Sequence, residues 1–227
     1  DNITSCINFP NKVLKLLKSL DSSKACGPDN CHPFFLKECA DQLYIPLSIL
    51  FQKSVDTGKV PSTWKNANIT CIFKKGQKSD PGNYRPVSLT SVVCKLLEKL
   101  IREVLVLHLK QHNLLSDCQF GFRNNRSTIL QLLTVLVDWT EAIDIGNQVD
   151  TIYLDFRKAF DSVPHKRLLY KLKSFGISGQ LHKWFTSFLS DRKQRVVVNG
   201  SFSDWCEVIS GIPQGSILGP VLFILFV

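Results

Sequence analysis

The sequence contains no methionine, no C-x2-C pair and no two adjacent acidic residues. Each absence removes a class of reading. The opening stretch DNITSCINFP has no apolar core segment, so no signal peptide is read there. The longest apolar run, Val221 to Val227, is far too short to span a bilayer, and no membrane role is expected. With no initiator methionine and an apolar run at its very end, the chain is expected to be cut from something longer at both ends. The eight cysteines, at 6, 26, 31, 39, 71, 94, 118 and 206, fall partly within apolar stretches such as ITCIF and SVVCKLL. That distribution suits buried free thiols and argues against a structural zinc site. It points to a reducing, intracellular setting. The sequons at Asn2, Asn68, Asn125 and Asn199 are then chance matches.

P-loop, GxSxG and HExxH patterns are also missing. The five histidines are dispersed. His108 and His112 lie four apart and could pair on a metal, but no third ligand is in view. The plainer expectation is solvent-side residues near a helix C-terminus. Acids are outnumbered, 19 against 28 basic residues, for a net charge of +9. Such an excess favours a polyanionic partner, nucleic acid or an acidic membrane surface, although a soluble protein can be basic without one.

What is present reads as alternating helices and strands over 227 residues, enough for one large or two small domains. NKVLKLLKSL (11–20) has one apolar face, followed by the turn-rich DSSKACGPDNCHP. Residues 34–58 are helical, broken around Pro46 and capped by Gly58. NITCIFK (68–74) reads as a strand and KKGQKSDPGN as a basic loop. After Pro86 and the Ser/Thr caps, apolar residues from Val92 to Leu105 recur at helical spacing. The loop 116–127 carries Arg123 and Arg126 and leads into a helix from Thr128 to about Ile145. Near the end, HKWFTSFLS is helical, and two β-rich runs in QRVVVNGSFSDWCEVI flank the hairpin signal Asn199-Gly200. A last helix is expected from about Ser216, with Pro220 in its first turn. The fold class is α/β or α+β.

Val149 to Pro164, VDTIYLDFRKAFDSVP, organises the rest. Its first residues predict a strand ending at Asp155, and Phe156, Ala159, Phe160 and Val163 then follow helical spacing. A carboxylate at the C-terminal end of a buried strand marks a ligand site in open α/β folds. An Asp there is also a common helix N-cap, and on this stretch alone the cap is the simpler reading. A metal on Asp155 would need its second carboxylate from elsewhere, because Asp155 and Asp161 are six apart and cannot share a helical face. SGIPQGS (210–216) gives a shaped turn at a helix start, where phosphates bind and a Gln amide can meet a base or sugar. By itself it is equally an ordinary hairpin-to-helix turn.

Five blocks in order carry a family resemblance: KACGPD, NYRPVSLTSVVCKLLEKLI, QFGFRNNRST, YLDFRKAFDSVPH and GIPQGSILGPVLF. The chain resembles the reverse transcriptase of non-LTR retrotransposons, of the LINE type and nearest the jockey and chicken-repeat groups. The likeness runs from about residue 22 onward, and it makes the cap a minor reading of Asp155. It implies a right-hand polymerase, here fingers plus an incomplete palm. Residues 1–67 would be a helical extension, 68–148 the fingers, and 149–227 part of the palm with the motif A strand and the Pro-Gln-Gly hairpin and helix. By the same resemblance Asp155 and the Phe156 carbonyl hold a metal, Mg2+ or Mn2+. The amides near Lys158 and Ala159 meet the triphosphate, and Phe160 stacks under the sugar and excludes a 2′-hydroxyl. Gln214 and Gly215 touch the nucleotide and template, Arg85 and Lys95 meet phosphates, and Arg123 and Arg126 hold template backbone. Implied partners are an RNA template, a DNA primer and deoxynucleoside triphosphates. The family's next block, an aromatic, an alanine and two aspartates, falls beyond residue 227. The fragment is therefore expected to be inactive alone, completed by palm and thumb from the same polyprotein. The other expectation kept is a non-catalytic remnant that binds nucleic acid.

Overall fold

The computed structural model describes residues 9–156 and 158–227. Asn2 and Cys6 lie outside them. Helix α1 (Phe9–Lys18) buries Phe9, Val13 and Leu17 against α3 (Ala40–Thr57), the face its three-to-four spacing dictates. Short α2 (Pro33–Glu38) precedes α3, and the chain breaks between them at Cys39. The break expected at Pro46 does not occur. Both Pro46 and Gln42 are exposed, so the carbonyl that loses its helical donor can face water. Gly58 ends α3 in the left-handed conformation, as expected of a C-cap.

Strands β1 (Asn66–Phe73) and β2 (Tyr84–Thr90) pair antiparallel, from Ala67 opposite Thr90 to Phe73 opposite Tyr84. β2 was not evident in the sequence because Pro86 interrupts it. It pairs with β1 alone, and an edge strand tolerates the missing N–H. Ser91 then caps α4 (Val92–Gln111), its hydroxyl accepting from the Cys94 amide at 3.2 Å. α4 is the hub of the core and buries Leu96, Leu97, Leu100, Ile101, Leu105 and Leu109. His108 is half-buried rather than solvent-side, because its Nε2 donates to the Phe175 carbonyl at 2.9 Å.

Helix α5 (Thr128–Asp144) forms where expected, capped by Ser127, yet buries none of its residues. α6 (His165–Ser174), α7 (Gly179–Leu189) and α8 (Gly219–Phe226) close over the core. Trp184 of α7 stacks on Phe188 at 5.2 Å and donates from Nε1 to Ser54 Oγ at 3.0 Å, fastening α7 to α3. Strand β3 (Lys193–Val198) runs parallel to β1, with Asn66 opposite Lys193. β4 (Ser201–Phe202) and β5 (Cys206–Glu207) both pair with β3. Asn199 and Gly200 make the predicted turn, both with positive φ. The sheet order is β2-β1-β3-β4, so strands from residues 68–148 and 149–227 share one mixed sheet.

The stretch around Asp155 also departs from expectation. Residues 149–154 are not a strand, and residues 158–163 form a turn rather than a helix. Ile152, Tyr153 and Leu154 are 83%, 84% and 88% exposed. No described segment offers them a ladder, and an extended run becomes a strand only when its N–H and C=O groups find one. Lys158 takes φ 51°. That left-handed step stops helical propagation, and a single turn remains, with Asp161 and Ser162 amides donating to the Lys158 carbonyl.

Candidate active site

The single turn after Asp155 is held against the loop that begins at Ser210. Gly211 N–H donates to the Val163 carbonyl and Ile212 N–H to the Phe160 carbonyl, each at 2.8 Å. Ser210 Oγ reaches the Asp161 carbonyl at 3.1 Å, and His165 Nε2 the Gly211 carbonyl at 2.7 Å. The approach is so close that a β-carbon on Gly211 would lie 2.7 Å from the Asp161 carbonyl oxygen. Gln214 Nε2 donates to Asp161 Oδ1 at 3.2 Å. Two segments fifty residues apart thus form one surface.

Phe160 is half-buried on that surface. Its ring stacks on Phe223 of α8 at 4.8 Å and meets Phe122 edge-on at 6.3 Å. Phe156 meets the same Phe223 edge-on at 6.3 Å. α8 therefore supplies the floor under both aromatic residues of the organising stretch.

Beyond the turn, the Gln214 carbonyl accepts from Ser88 N–H of β2 at 2.7 Å. On the far side, Glu98 of α4 accepts from the amides of Ile217 at 2.7 Å and Leu218 at 3.1 Å. Glu98 is 1% exposed, and burial pushes its carboxyl above the usual range, while the Leu218 amide and nearby Arg192 pull it back. Arg192 is itself buried. It donates to the Phe188 carbonyl at 3.1 Å and lies 5.1 Å from the Phe188 ring centroid. A cleft of about 410 Å3 opens between this loop and the sheet, lined by Ser88, Asp161, Arg192, Lys193, Pro213 and Gln214, among others.

Of the residues singled out in the sequence, Phe160, Gln214 and Gly215 come together, with Phe156 joined through Phe223. Asp155, Lys158 and Arg85 are exposed, and Ala159 is half-buried in the turn. Arg85 has the opposite strand parity to Pro86 and Ser88, which face the cleft. Lys95 is half-buried one helical turn from Glu98, and burial lowers its pKa against the pull of that carboxylate. Arg126 pairs with Asp117 at 3.1 Å and lies over the Phe120 ring, while Arg123 donates to the Ser116 carbonyl. Both arginines thus order their own loop. Sequence reading missed Ser88, Glu98, Arg192 and His165. Only Glu98 left a signal, an acid embedded in the apolar pattern of α4.

As a metal centre the set is partial. Asp155 and the Phe156 carbonyl offer one carboxylate and one carbonyl oxygen, and among the described residues no three His, Cys, Asp or Glu cluster. A hard divalent ion takes six or more oxygens. These residues alone do not complete such a site.

Comparison with known proteins fits this surface. A family model described as reverse transcriptase (RNA-dependent DNA polymerase) matches residues 72–227. Over 216 residues the chain is 35% identical to the RNA-directed DNA polymerase from mobile element jockey of Drosophila melanogaster. It is 32% identical over 216 residues to the probable RNA-directed DNA polymerase from transposon BS of the same species. Each alignment covers 95% of this chain and 24% of the relative. A retrovirus-related Pol polyprotein from type-1 retrotransposable element R2 of Popillia japonica is 28% identical over 167 residues, 73% of this chain and 23% of that protein. The chain spans about a quarter of the length of these relatives. With the family model running through both the Asp155 segment and the Pro-Gln-Gly turn that meets it, the chain belongs to the reverse transcriptase family and is homologous to the RNA-directed DNA polymerases of non-LTR retrotransposons.

Proposed function

We propose that this chain carries the nucleotide-facing surface of a polymerase that copies RNA into DNA. One observation supports the reading above the others: the Phe160 turn and the Gln214 turn are hydrogen-bonded into a single surface beside a cleft. On it a flat ring, a side-chain amide and main-chain amides are held in fixed relation, which is what positioning a nucleoside triphosphate requires. Phe160 would fill the space of a 2′-hydroxyl. Gln214 and Gly215 would meet nucleotide and template, and the amides near Lys158 and Ala159 the triphosphate. In this reading residues 68–148 correspond to fingers and 149–227 to part of a palm. The net charge of +9 suits a template–primer duplex.

Such an enzyme needs a divalent ion, which would neutralise charge on the phosphates. Asp155 and the Phe156 carbonyl would supply part of its shell, with further carboxylates from elsewhere in the polyprotein. The chain by itself is therefore expected not to extend a primer. Its setting would be the cytoplasm and nucleus.

The test is sugar selection in the full-length polymerase. Phe160→Val is expected to raise ribonucleotide over deoxyribonucleotide incorporation by at least tenfold, about 1.4 kcal/mol of discrimination. Unchanged selection would remove Phe160 from that role. A second reading has its own support, the net charge of +9. There the chain binds RNA through its basic surface without catalysis, and salt-insensitive binding, or none, would exclude it.

A further inference from the structure

We propose that Glu98 is the positioning residue of the Gln214–Gly215 turn, holding it at nucleotide distance from inside the protein. The role rests on the nucleotide reading of that turn. Glu98 lies on α4, and its carboxylate reaches the start of the α8 segment, 119 and 120 residues away, where one oxygen accepts from both Ile217 and Leu218. Their amides precede α8 and have no helical acceptor of their own. The carboxylate is 1% exposed, so water does not compete for these bonds.

The turn itself has few internal supports. Ser216 N–H donates to the Pro213 carbonyl, and Ser216 Oγ accepts from Gly219 N–H at 3.0 Å. Upstream, Gly211 and Ile212 are tied to the Phe160 turn; around Gln214 itself the supports come from Ser88 N–H on one side, Glu98 on the other, and Asp161 at the side-chain amide. Ser88 lies within β2 and Glu98 two turns into α4, so one continuous piece of chain grips the turn from both sides. Shortening the Glu98 arm frees the downstream side while the Ser88 contact remains. Gln214 then samples positions away from the cleft, and nucleotide affinity falls without loss of the chemical step.

Two measurements test this. In the chain itself, hydrogen exchange at the Ile217 and Leu218 amides is expected to quicken at least tenfold in Glu98→Ala and Glu98→Asp, with α4 protection unchanged. Steady-state kinetics in the full-length polymerase supply the other. There both substitutions are expected to raise KM for the deoxynucleoside triphosphate about tenfold. kcat and template–primer affinity should stay within about twofold. Glu98→Gln keeps an acceptor oxygen at the same reach and is expected to bring KM back to within about threefold of the unsubstituted enzyme. A uniform loss of kcat, KM and melting temperature would make Glu98 a core residue only and overturn the proposal. So would unchanged exchange at residues 217 and 218, or a Gln variant as impaired as the Asp variant. Absence of activity in the unsubstituted enzyme would refute the polymerase reading instead, and the exchange data alone would then decide whether Glu98 holds the turn.

Discussion

Gly215 passes so close to Ser88 that a β-carbon on it would lie 2.6 Å from the Ser88 carbonyl oxygen, and its φ of 122° is one that side chains rarely adopt. The contact is main chain against main chain, so neither side can swing away. Gly215→Ala is therefore expected to lower stability by about 2 kcal/mol or more, or to shift the turn. Ser88→Ala leaves the main chain in place and should cost less than about 1 kcal/mol. Urea unfolding of the two variants compares them directly, and equal midpoints would contradict the contact.

Trp184 joins α7 to α3 through its buried ring and its bond to Ser54 Oγ, which in turn donates to the Lys59 carbonyl at 2.6 Å. Trp184→Ala is expected to cost about 3–5 kcal/mol through the cavity it leaves. Ser54→Ala strands the indole N–H and should cost about 1–3 kcal/mol. Thermal and denaturant unfolding measure both, and a Trp184→Ala loss under 1 kcal/mol would mean that α7 is not packed as described.

Burial raises the carboxyl pKa of Glu98, and the sign of its pH effect follows. Below the ordinary glutamate range the group is protonated in both folded and unfolded chains and carries no ionisation cost. As pH rises, the unfolded chain ionises first. Stability relative to Glu98→Gln is then lost progressively until the raised pKa is passed. Unfolding free energies of the two proteins across that window should diverge as pH climbs. A constant difference would place the carboxylate in a better-solvated setting than its burial indicates.

Thiol reactivity should separate the cysteines. Cys118 and Cys206 are exposed, whereas Cys94 is buried and its thiol is pushed well above the usual range by desolvation and by the neighbouring Glu98. Brief labelling with a maleimide, read by peptide mass, is expected to modify residues 118 and 206 and spare 94. Early labelling of Cys94 would show that α4 opens readily.

If the chain binds RNA as proposed, affinity should weaken steeply with salt, because basic residues on phosphates release counterions and the net charge is +9. Filter binding or anisotropy at rising ionic strength provides the slope. A flat profile would argue against electrostatic contact as the main source of affinity.

Features that depend on a few neighbouring residues were readable in advance. Gly58 ends α3, Ser91 and Ser127 start α4 and α5, and Asn199-Gly200 turns the hairpin. In each, the residue's own backbone or side chain makes the decisive interaction within a few positions. The block order likewise points to the family. Features that depend on distant partners were read less well. The run from Thr151 to Leu154 has every local mark of a strand, and β2 has a proline in its middle. Yet the first has no ladder among the described residues, and the second pairs along its whole length with β1.

Arg123, Arg126 and Glu98 show the same division at the site. The family resemblance gives the two arginines a role on template backbone, and the glutamate is an acid embedded in the apolar pattern of α4. In space Arg126 is paired to Asp117, Arg123 donates to the Ser116 carbonyl, and Glu98 lies at the centre, holding amides more than a hundred residues away. The amino-acid sequence by itself determined the caps at Gly58 and Ser91, the Asn199-Gly200 turn and the reverse transcriptase family, because these rest on short-range sterics and on ordered blocks. Only the tertiary structure decided which strands pair and that Glu98 and Arg192 are buried. It also decided that the Phe160 and Gln214 turns share one surface, since long-range hydrogen bonds and burial select among partners that local sequence leaves open.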